Sequence, residues 1–125
     1  MNRRLALLVP LLLTFPALAQ ARAPDPNGVW MRGDGNARVR IASCGSKLCA
    51  TNLWIGDTSG GEAVGHRLEL TLKPKDDATL VGTAYDPQRD LNYSMQMTVG
   101  KEQLLTRGCV LGGLLCKSVT WSRSE

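Results

Sequence analysis

Apolar and polar residues alternate in short runs along most of this chain. Val39 and Ile41 alternate with Arg38 and Arg40, and the stretch 91–99 continues the same alternation over nine residues. A period of two places apolar side chains on one face of an extended strand and polar side chains on the other. The pattern therefore predicts half-buried β-strands.

Turn-forming residues separate these runs and divide the chain into regular units. The predicted strands lie near residues 28–33, 37–43, 48–55, 65–73, 79–85, 91–99, 103–110 and 115–123. A spacing of about a dozen residues without a helical period indicates an antiparallel meander. Closing that meander into a barrel buries the apolar face and removes both sheet edges, so an all-β barrel is favoured over a sandwich.

The first nineteen residues have the organisation of a secretory signal peptide. A basic start over residues 1–4 precedes an apolar run over 5–15, and Ala17 and Ala19 provide small residues before a cut. We therefore expect a periplasmic or secreted protein, with an extended leader over 20–27 and one barrel domain over 28–125. The apolar run is shorter than the ~20 residues that a membrane span requires, so we expect no membrane span.

The charge balance argues against a nucleic-acid partner. Without the proposed signal peptide, 13 basic side chains face 11 acidic ones, a net charge of +2. The basic residues are dispersed along the chain and form no stripe that would follow a phosphate backbone. A soluble monomer without cofactor or metal is the expectation.

Four cysteines indicate a disulfide framework in an exported chain. Cys44, Cys49, Cys109 and Cys116 allow three connectivities. Local pairing of Cys44 with Cys49 and of Cys109 with Cys116 is favoured, while crossed pairing between the two halves stays open. A zinc site is disfavoured, because export and the C-x6-C spacing both argue against it.

The sequence offers no catalytic constellation, and we predict that the protein is not an enzyme. His66 is the single histidine, and its position at a strand start is typical of an exposed edge residue. No nucleophile-elbow motif occurs. Most acids neighbour turn formers and are expected to bond their own backbone. A hydrolase that uses Asp57 and Asp86 is the weaker alternative.

The tryptophans mark the ends of the predicted barrel. Trp30 lies in the first strand and Trp121 in the last, which are neighbours in a closed meander. Arg123 would then cover the face of Trp30 and close the base through a cation–π contact. The orientation of Trp54 is left open: pointing inward it would favour a ligand, and pointing outward a surface partner.

One strand face supplies candidates for a binding pocket. Tyr93, Met95 and Met97 share a face, and with Trp54 and Tyr85 they are the candidate lining of a pocket for a small apolar ligand. Methionine adapts to varied apolar ligands, but it also simply fills cores. The alternative function is an envelope interaction module that has a packed core and uses outer residues such as Arg38 and Arg40.

Several motifs, in combination and order, carry a family resemblance over about residues 27–123. They are Gly28-Val29-Trp30, residues 39–45 with Leu48-Cys49, Tyr85-Asp86-Pro87, Tyr93, Arg107-Gly108-Cys109 and Trp121-Ser122-Arg123. The chain resembles the bacterial family catalogued as domain of unknown function 2147. The resemblance implies an exported lipocalin-like (calycin) barrel without an established activity, so no binding residue is transferred. Many family members carry an Asn-Pro segment and a longer arginine-rich stretch where this chain has only residues 57–62.

Overall fold

The strands lie close to where the alternation predicts them. The computed structural model describes residues 6–14 and 23–125. The basic start, the expected cleavage site and the first leader residues lie outside this range. Residues 6–14 are exposed and carry no regular secondary structure. No helix within the described residues has the length and apolar character needed to cross a bilayer.

Eight strands form one closed antiparallel barrel in chain order. They are β1 (Gly28–Arg32), β2 (Ala37–Cys44), β3 (Lys47–Ile55), β4 (Arg67–Pro74), β5 (Thr79–Asp86), β6 (Leu91–Val99), β7 (Gln103–Val110) and β8 (Leu115–Arg123). A single 3₁₀ turn, Leu111–Gly113, connects β7 to β8. Strand β1 pairs with β8, with Trp30 opposite Arg123. The predicted meander barrel is confirmed, and the sandwich alternative is wrong.

Up-and-down connectivity gives the barrel two distinct ends. We call the end where β1 finishes the mouth; it carries the connections 33–36, 56–66, 87–90 and 111–114. The opposite end, the base, carries the short turns 45–46, 75–78 and 100–102 together with both ends of the strand array. The longest connection of the barrel, residues 56–66, therefore lies at the mouth.

Most of the apolar core lies toward the base, and a smaller buried cluster of Ala37, Val39 and Ile55 lies at the mouth ends of β2 and β3. Trp30 is completely buried in the larger cluster. The larger cluster comprises Trp30, Ile41, Leu70, Leu80, Ala84, Met95, Met97 and Leu104. Burying such side chains stabilises the fold by about 1.5–3 kcal/mol each relative to exposure, so this cluster anchors the barrel.

Trp30 and Arg123 close the base. The Arg123 guanidinium carbon lies 4.2 Å from the centroid of the Trp30 ring. Arg123 also donates hydrogen bonds to the carbonyl oxygens of Lys101 (2.8 Å) and Asn27 (3.2 Å). The Trp30 indole nitrogen donates to the Pro26 carbonyl at 2.9 Å. These contacts join the first strand, the last strand and the β6–β7 turn into one plug.

Each disulfide fastens one hairpin, at opposite ends of the barrel. Cys44 and Cys49 are joined across the β2–β3 turn at the base. Cys109 and Cys116 lie directly opposite each other in the β7–β8 pair at the mouth, with a Cα–Cα distance of 4.1 Å. Both pairs are local, as the sequence analysis favoured, and all four cysteines are bonded.

Candidate functional site

A cavity of about 610 Å³ lies between the packed base and the mouth. This volume falls within the ~300–1,000 Å³ that small-molecule sites occupy. The apolar part of its wall consists of Trp30, Val39, Ile41, Ala50, Leu68, Leu70, Leu91, Met95, Met97, Leu104, Val110, Leu115, Val119 and Trp121. The polar part, concentrated toward the mouth, consists of Arg32, Asn52, Glu62, His66, Arg67, Asp86, Gln88, Arg89, Tyr93, Thr106 and Lys117.

Three of the five predicted lining residues face this cavity. Tyr93, Met95 and Met97 follow one another along β6 from the mouth toward the base. Met97 is almost completely buried and belongs to the floor, while Tyr93 is partly exposed near the mouth. Burial raises the pKa of the Tyr93 phenol, so its hydroxyl remains a hydrogen-bond donor at neutral pH.

The Tyr93 ring has its place inside the barrel because β7 carries a glycine there. A Cβ at Gly108 would come within 3.1 Å of two carbons of the Tyr93 ring. Gly108 occupies an inward position between Thr106 and Val110, opposite Met95 on β6. Because Gly108 has no side chain, the Tyr93 ring can lie against the backbone of β7 at this position. Within the Arg107-Gly108-Cys109 motif, the glycine therefore makes room for Tyr93.

The prediction that Trp54 lines the pocket is wrong. Arg38 pairs with Trp54, but the next residue of β2, Val39, pairs with Asn52, so Leu53 is an extra residue in β3. Such a bulge reverses the in–out alternation beyond it. Ile55 is therefore buried inside, and Trp54 lies on the outer surface, 44% exposed, with its ring close to Gly56.

The prediction that Tyr85 lines the pocket is also wrong. Its neighbours Ala84 and Asp86 are both buried, and Asp86 faces the cavity. The alternation of β5 consequently places Tyr85 on the outer surface. There its hydroxyl donates to the Asp90 carboxylate at 2.9 Å, and this hydrogen bond raises the pKa of the phenol.

His66 is not the exposed edge residue that its sequence position indicates. It precedes β4, which begins at Arg67, and it lines the cavity as a half-buried side chain. Its Nδ1 atom is buried and has no hydrogen-bond partner among the residues that the structure describes. The backbone explains the placement, because Asn52 and His66 continue the β3–β4 pairing through a bond from Asn52 N to the His66 carbonyl.

An ion pair fastens the 56–66 connection across the mouth. Arg32, at the end of β1, forms a two-pronged pair with Glu62 and a further bond to Asp34 at 2.9 Å. The Arg32 hydrogen bond holds the pKa of Glu62 below its ordinary value. A bidentate ion pair of this kind is stronger than an ion pair that has a single hydrogen bond between the same groups. Arg32 and Glu62 therefore form part of the cavity wall and hold the connection in place.

Two asparagines secure the same connection at its ends. Asn36 accepts a hydrogen bond from Asp57 N at 2.7 Å and donates to the Asp57 carbonyl at 3.1 Å. Asn52 donates to the Ala63 carbonyl at 3.1 Å from inside the mouth. The connection is consequently tied to β1, β3 and the β1–β2 turn.

Asp86 organises the β5–β6 turn at the mouth. Its carboxylate accepts hydrogen bonds from Gln88 Nε2 (2.7 Å), Gln88 N (2.9 Å) and Arg89 Nη1 (2.9 Å). Burial acts to raise the pKa of this carboxyl, but the bonds from Arg89 and Gln88 outweigh it and hold the pKa below its ordinary value. Asp86 therefore remains charged and orients Arg89 at the rim.

Of the two acids of the hydrolase alternative, Asp86 lines the cavity and Asp57 does not. Asp57 is exposed in the 56–66 connection and accepts a bond from Ser59 N at 2.9 Å, which holds its pKa below the ordinary value. The Asp86 carboxylate is engaged by its own turn. A general acid at neutral pH needs a raised pKa, whereas both of these are lowered.

Sequence reasoning missed Lys117, which faces the cavity from β8. The alternation of β8 could have identified it, because every second residue of this strand lines the cavity: Leu115, Lys117, Val119 and Trp121. Trp121, which closes the barrel opposite Arg32, also lines the cavity, and its indole donates to Thr106 Oγ1 at 3.0 Å. Within the described part of the chain, no cluster of His, Cys, Asp and Glu side chains has the arrangement of a metal site.

Comparison with known proteins places the barrel in a family. No curated protein matches the chain. A solved structure described as a redesigned beta barrel is 15% identical, with a TM-score of 0.51 over 79% of this chain and 91% of that one. This likeness concerns the fold alone. The family described as an uncharacterized protein conserved in bacteria (DUF2147) matches residues 28–123. This chain therefore belongs to the DUF2147 family.

Proposed function

We propose that this protein binds a small, largely apolar molecule inside the barrel. The observation that carries the proposal is the cavity of about 610 Å³, with an apolar floor and a polar mouth. Apolar surface removed from water contributes about 25 cal/mol per Å², so a ligand that fills such a cavity gains binding energy from contact with the floor. Polar groups at the mouth would orient the ligand and set its specificity.

Binding without catalysis fits the chemistry of the wall. The acids Glu62 and Asp86 are each engaged by an arginine, and their lowered pKa values suit structural ion pairs rather than proton transfer. We assign the protein a carrier or sensor role in the periplasm or outside the cell, as a monomer. Two disulfides are consistent with an oxidising extracellular compartment.

The direct test is native mass spectrometry on protein purified without detergent from the cells that produce it. We expect a bound mass that disappears on denaturation. Ala50→Leu adds a larger side chain to the cavity wall and should reduce the bound fraction. Ala42→Leu is the matched control, because Ala42 lies on the exposed face of the neighbouring strand. An apo mass across several growth conditions, or equal occupancy in both variants, contradicts binding inside the barrel.

The position of Trp54 on the outer surface favours a second candidate function, in which the protein is an envelope interaction module. Trp54 lies opposite Arg38 in the β2–β3 pair, and both side chains are partly exposed on the outer surface. Aromatic and arginine side chains are enriched at the centres of protein interfaces. In this case Trp54→Ser would abolish crosslinking to one discrete partner, whereas Ala50→Leu would leave it unchanged. The reverse dependence would support binding inside the barrel.

A further inference from the structure

The charges at the mouth indicate which kind of ligand the cavity takes. Resting on the function proposed above, we propose that the ligand is an amphiphile with one anionic head group, and that Lys117 binds this head at the mouth. The tail would occupy the apolar space below it.

Lys117 is the one lysine or arginine of the cavity wall that lacks an ion-pair partner among the described residues. Four lysine and arginine side chains line the cavity, and three are matched by carboxylates. The matched pairs are Arg32 with Glu62 and Asp34, Arg67 with Glu69, and Arg89 with Asp86. The charge of Lys117 does reach Asp34, but the oxygens of that carboxylate already accept bonds from Arg32 and Asn36.

Lys117 is an exposed side chain that lines the cavity at its mouth. Lys117 lies between Leu115 and Val119 on the inward face of β8, and Gly108 is its direct partner on β7. A Cβ at Gly108 would lie 3.1 Å from the Tyr93 ring, so this ring reaches from β6 over the glycine that pairs with Lys117. Lys117 and Tyr93 therefore flank the same gap at the mouth.

Tyr93 adds a second donor at this gap. Its hydroxyl forms no hydrogen bond with any residue in the described ranges, and burial keeps it protonated. Arg89, which also lines the cavity, is held at the rim by Asp86. An ammonium group and a phenolic donor together suit a carboxylate or another small anionic head, because hydrogen bonds to charged groups are the stronger kind.

The depth below Lys117 suits a short tail. Along β8 the wall runs from Lys117 at the mouth to Trp121 near the floor. Four residues of a tilted barrel strand correspond to a depth of about 10 Å. Below the rim the wall is formed mainly by Met95, Val119 and Leu104, which offer contact but no partner for a second charged group.

Isothermal titration of three probes with one tail and different heads tests the proposal. The probes are octanoate, octanol and octylamine, each kept below its aggregation concentration at about pH 8, where the acid is anionic and the amine cationic. We expect octanoate to bind about five- to tenfold tighter than octanol, and octylamine to bind weakest. Lys117→Gln should remove this preference, and Lys117→Glu should shift it toward octylamine. Lys73→Gln, on the exposed face of β4, is the matched control and should retain it.

The outcomes separate this proposal from the one on which it rests. Equal binding of all three probes, or an unchanged preference in folded Lys117→Gln protein, contradicts the head-group assignment but leaves binding inside the barrel intact. Failure of all three probes to bind protein with an unchanged circular dichroism spectrum contradicts binding inside the barrel itself.

Discussion

Two glycines allow close packing in the barrel wall. Gly108 leaves space for the Tyr93 ring. Gly82 on β5 is more restrictive, because a Cβ there would lie 1.9 Å from the Thr71 carbonyl oxygen on β4. A flexible side chain can move away from such a contact, but a backbone carbonyl in a paired strand cannot.

Gly82→Ala should therefore destabilise the protein severely. We expect a loss of about 3 kcal/mol or more in the free energy of unfolding, because the strands β4 and β5 must separate to admit the methyl group. Gly60→Ala is the control, since nothing lies within 4 Å of a Cβ at that position. Urea unfolding followed by tryptophan fluorescence measures both variants. A loss in Gly82→Ala that is no larger than in Gly60→Ala would show that β4 and β5 adapt freely.

The sequence predicts the positions of the strands well, but it does not predict for every strand which side chains point into the barrel. In-register alternation is a local property, and it correctly placed Tyr93, Met95 and Met97 on one inner face. The bulge at Leu53 depends on how β3 pairs with β2, a relation that no run of residues within β3 reveals. This is why the orientation of Trp54 stayed open in the sequence, and why its candidacy as a lining residue was wrong. Lys117 was missed for a different reason, because a charged residue in an alternating strand is ordinarily assigned to the solvent face.

Closure of the barrel between β1 and β8 depends on Arg123. Arg123→Ala removes the contact with Trp30 and two hydrogen bonds to carbonyl groups, so we expect a loss of about 2 kcal/mol in the free energy of unfolding. Arg107→Ala, on the exposed face of β7, is the control and should change stability by less than about 0.5 kcal/mol. Denaturant unfolding measures both. Equal stabilities would mean that main-chain pairing alone closes the barrel.

Each disulfide should contribute separately, because the two lie at opposite ends of the barrel. The closed loops are short, with sequence separations of 5 and 7. Loop entropy then gives about 2 kcal/mol for each bond, and about 10 °C in Tm. The Cys109→Ser/Cys116→Ser variant should therefore melt earlier yet keep its far-ultraviolet circular dichroism. A variant that is unfolded at room temperature would contradict this purely local role.

The barrel carries most of its buried apolar core toward the base and the charged side chains of the cavity wall at the mouth. The packed core is formed by apolar residues around Trp30. The cavity, in contrast, is lined by side chains from all eight strands. A volume of this kind depends on how strands curve around one another, so the sequence predicts the barrel without predicting the empty space. One ion pair at the mouth, Arg32 with Glu62, likewise joins residues that are 30 positions apart in the chain.

These mouth carboxylates should make the fold sensitive to acid. The folded-state pKa values of Glu62 and Asp86 are both lowered, by the hydrogen bond from Arg32 and by those from Arg89 and Gln88 respectively. A group with a lowered folded pKa stabilises the protein above its unfolded pKa, and that stabilisation is lost as the pH falls through the folded value. We therefore expect Tm to fall as the pH decreases from about 5 toward 2.

The double variant Glu62→Gln/Asp86→Asn isolates this contribution. At about pH 7 it should melt below the wild type, because both arginines lose a charged partner; toward about pH 2 the two Tm values should converge, since the wild-type carboxylates are then protonated. Glu102→Gln, on a base turn far from the mouth, controls for the loss of a negative charge. Melting curves followed by circular dichroism across this range make the comparison. A Tm difference between the double variant and the wild type that stays constant with pH would show that these side chains stabilise the mouth through shape and neutral hydrogen bonds rather than through their charge.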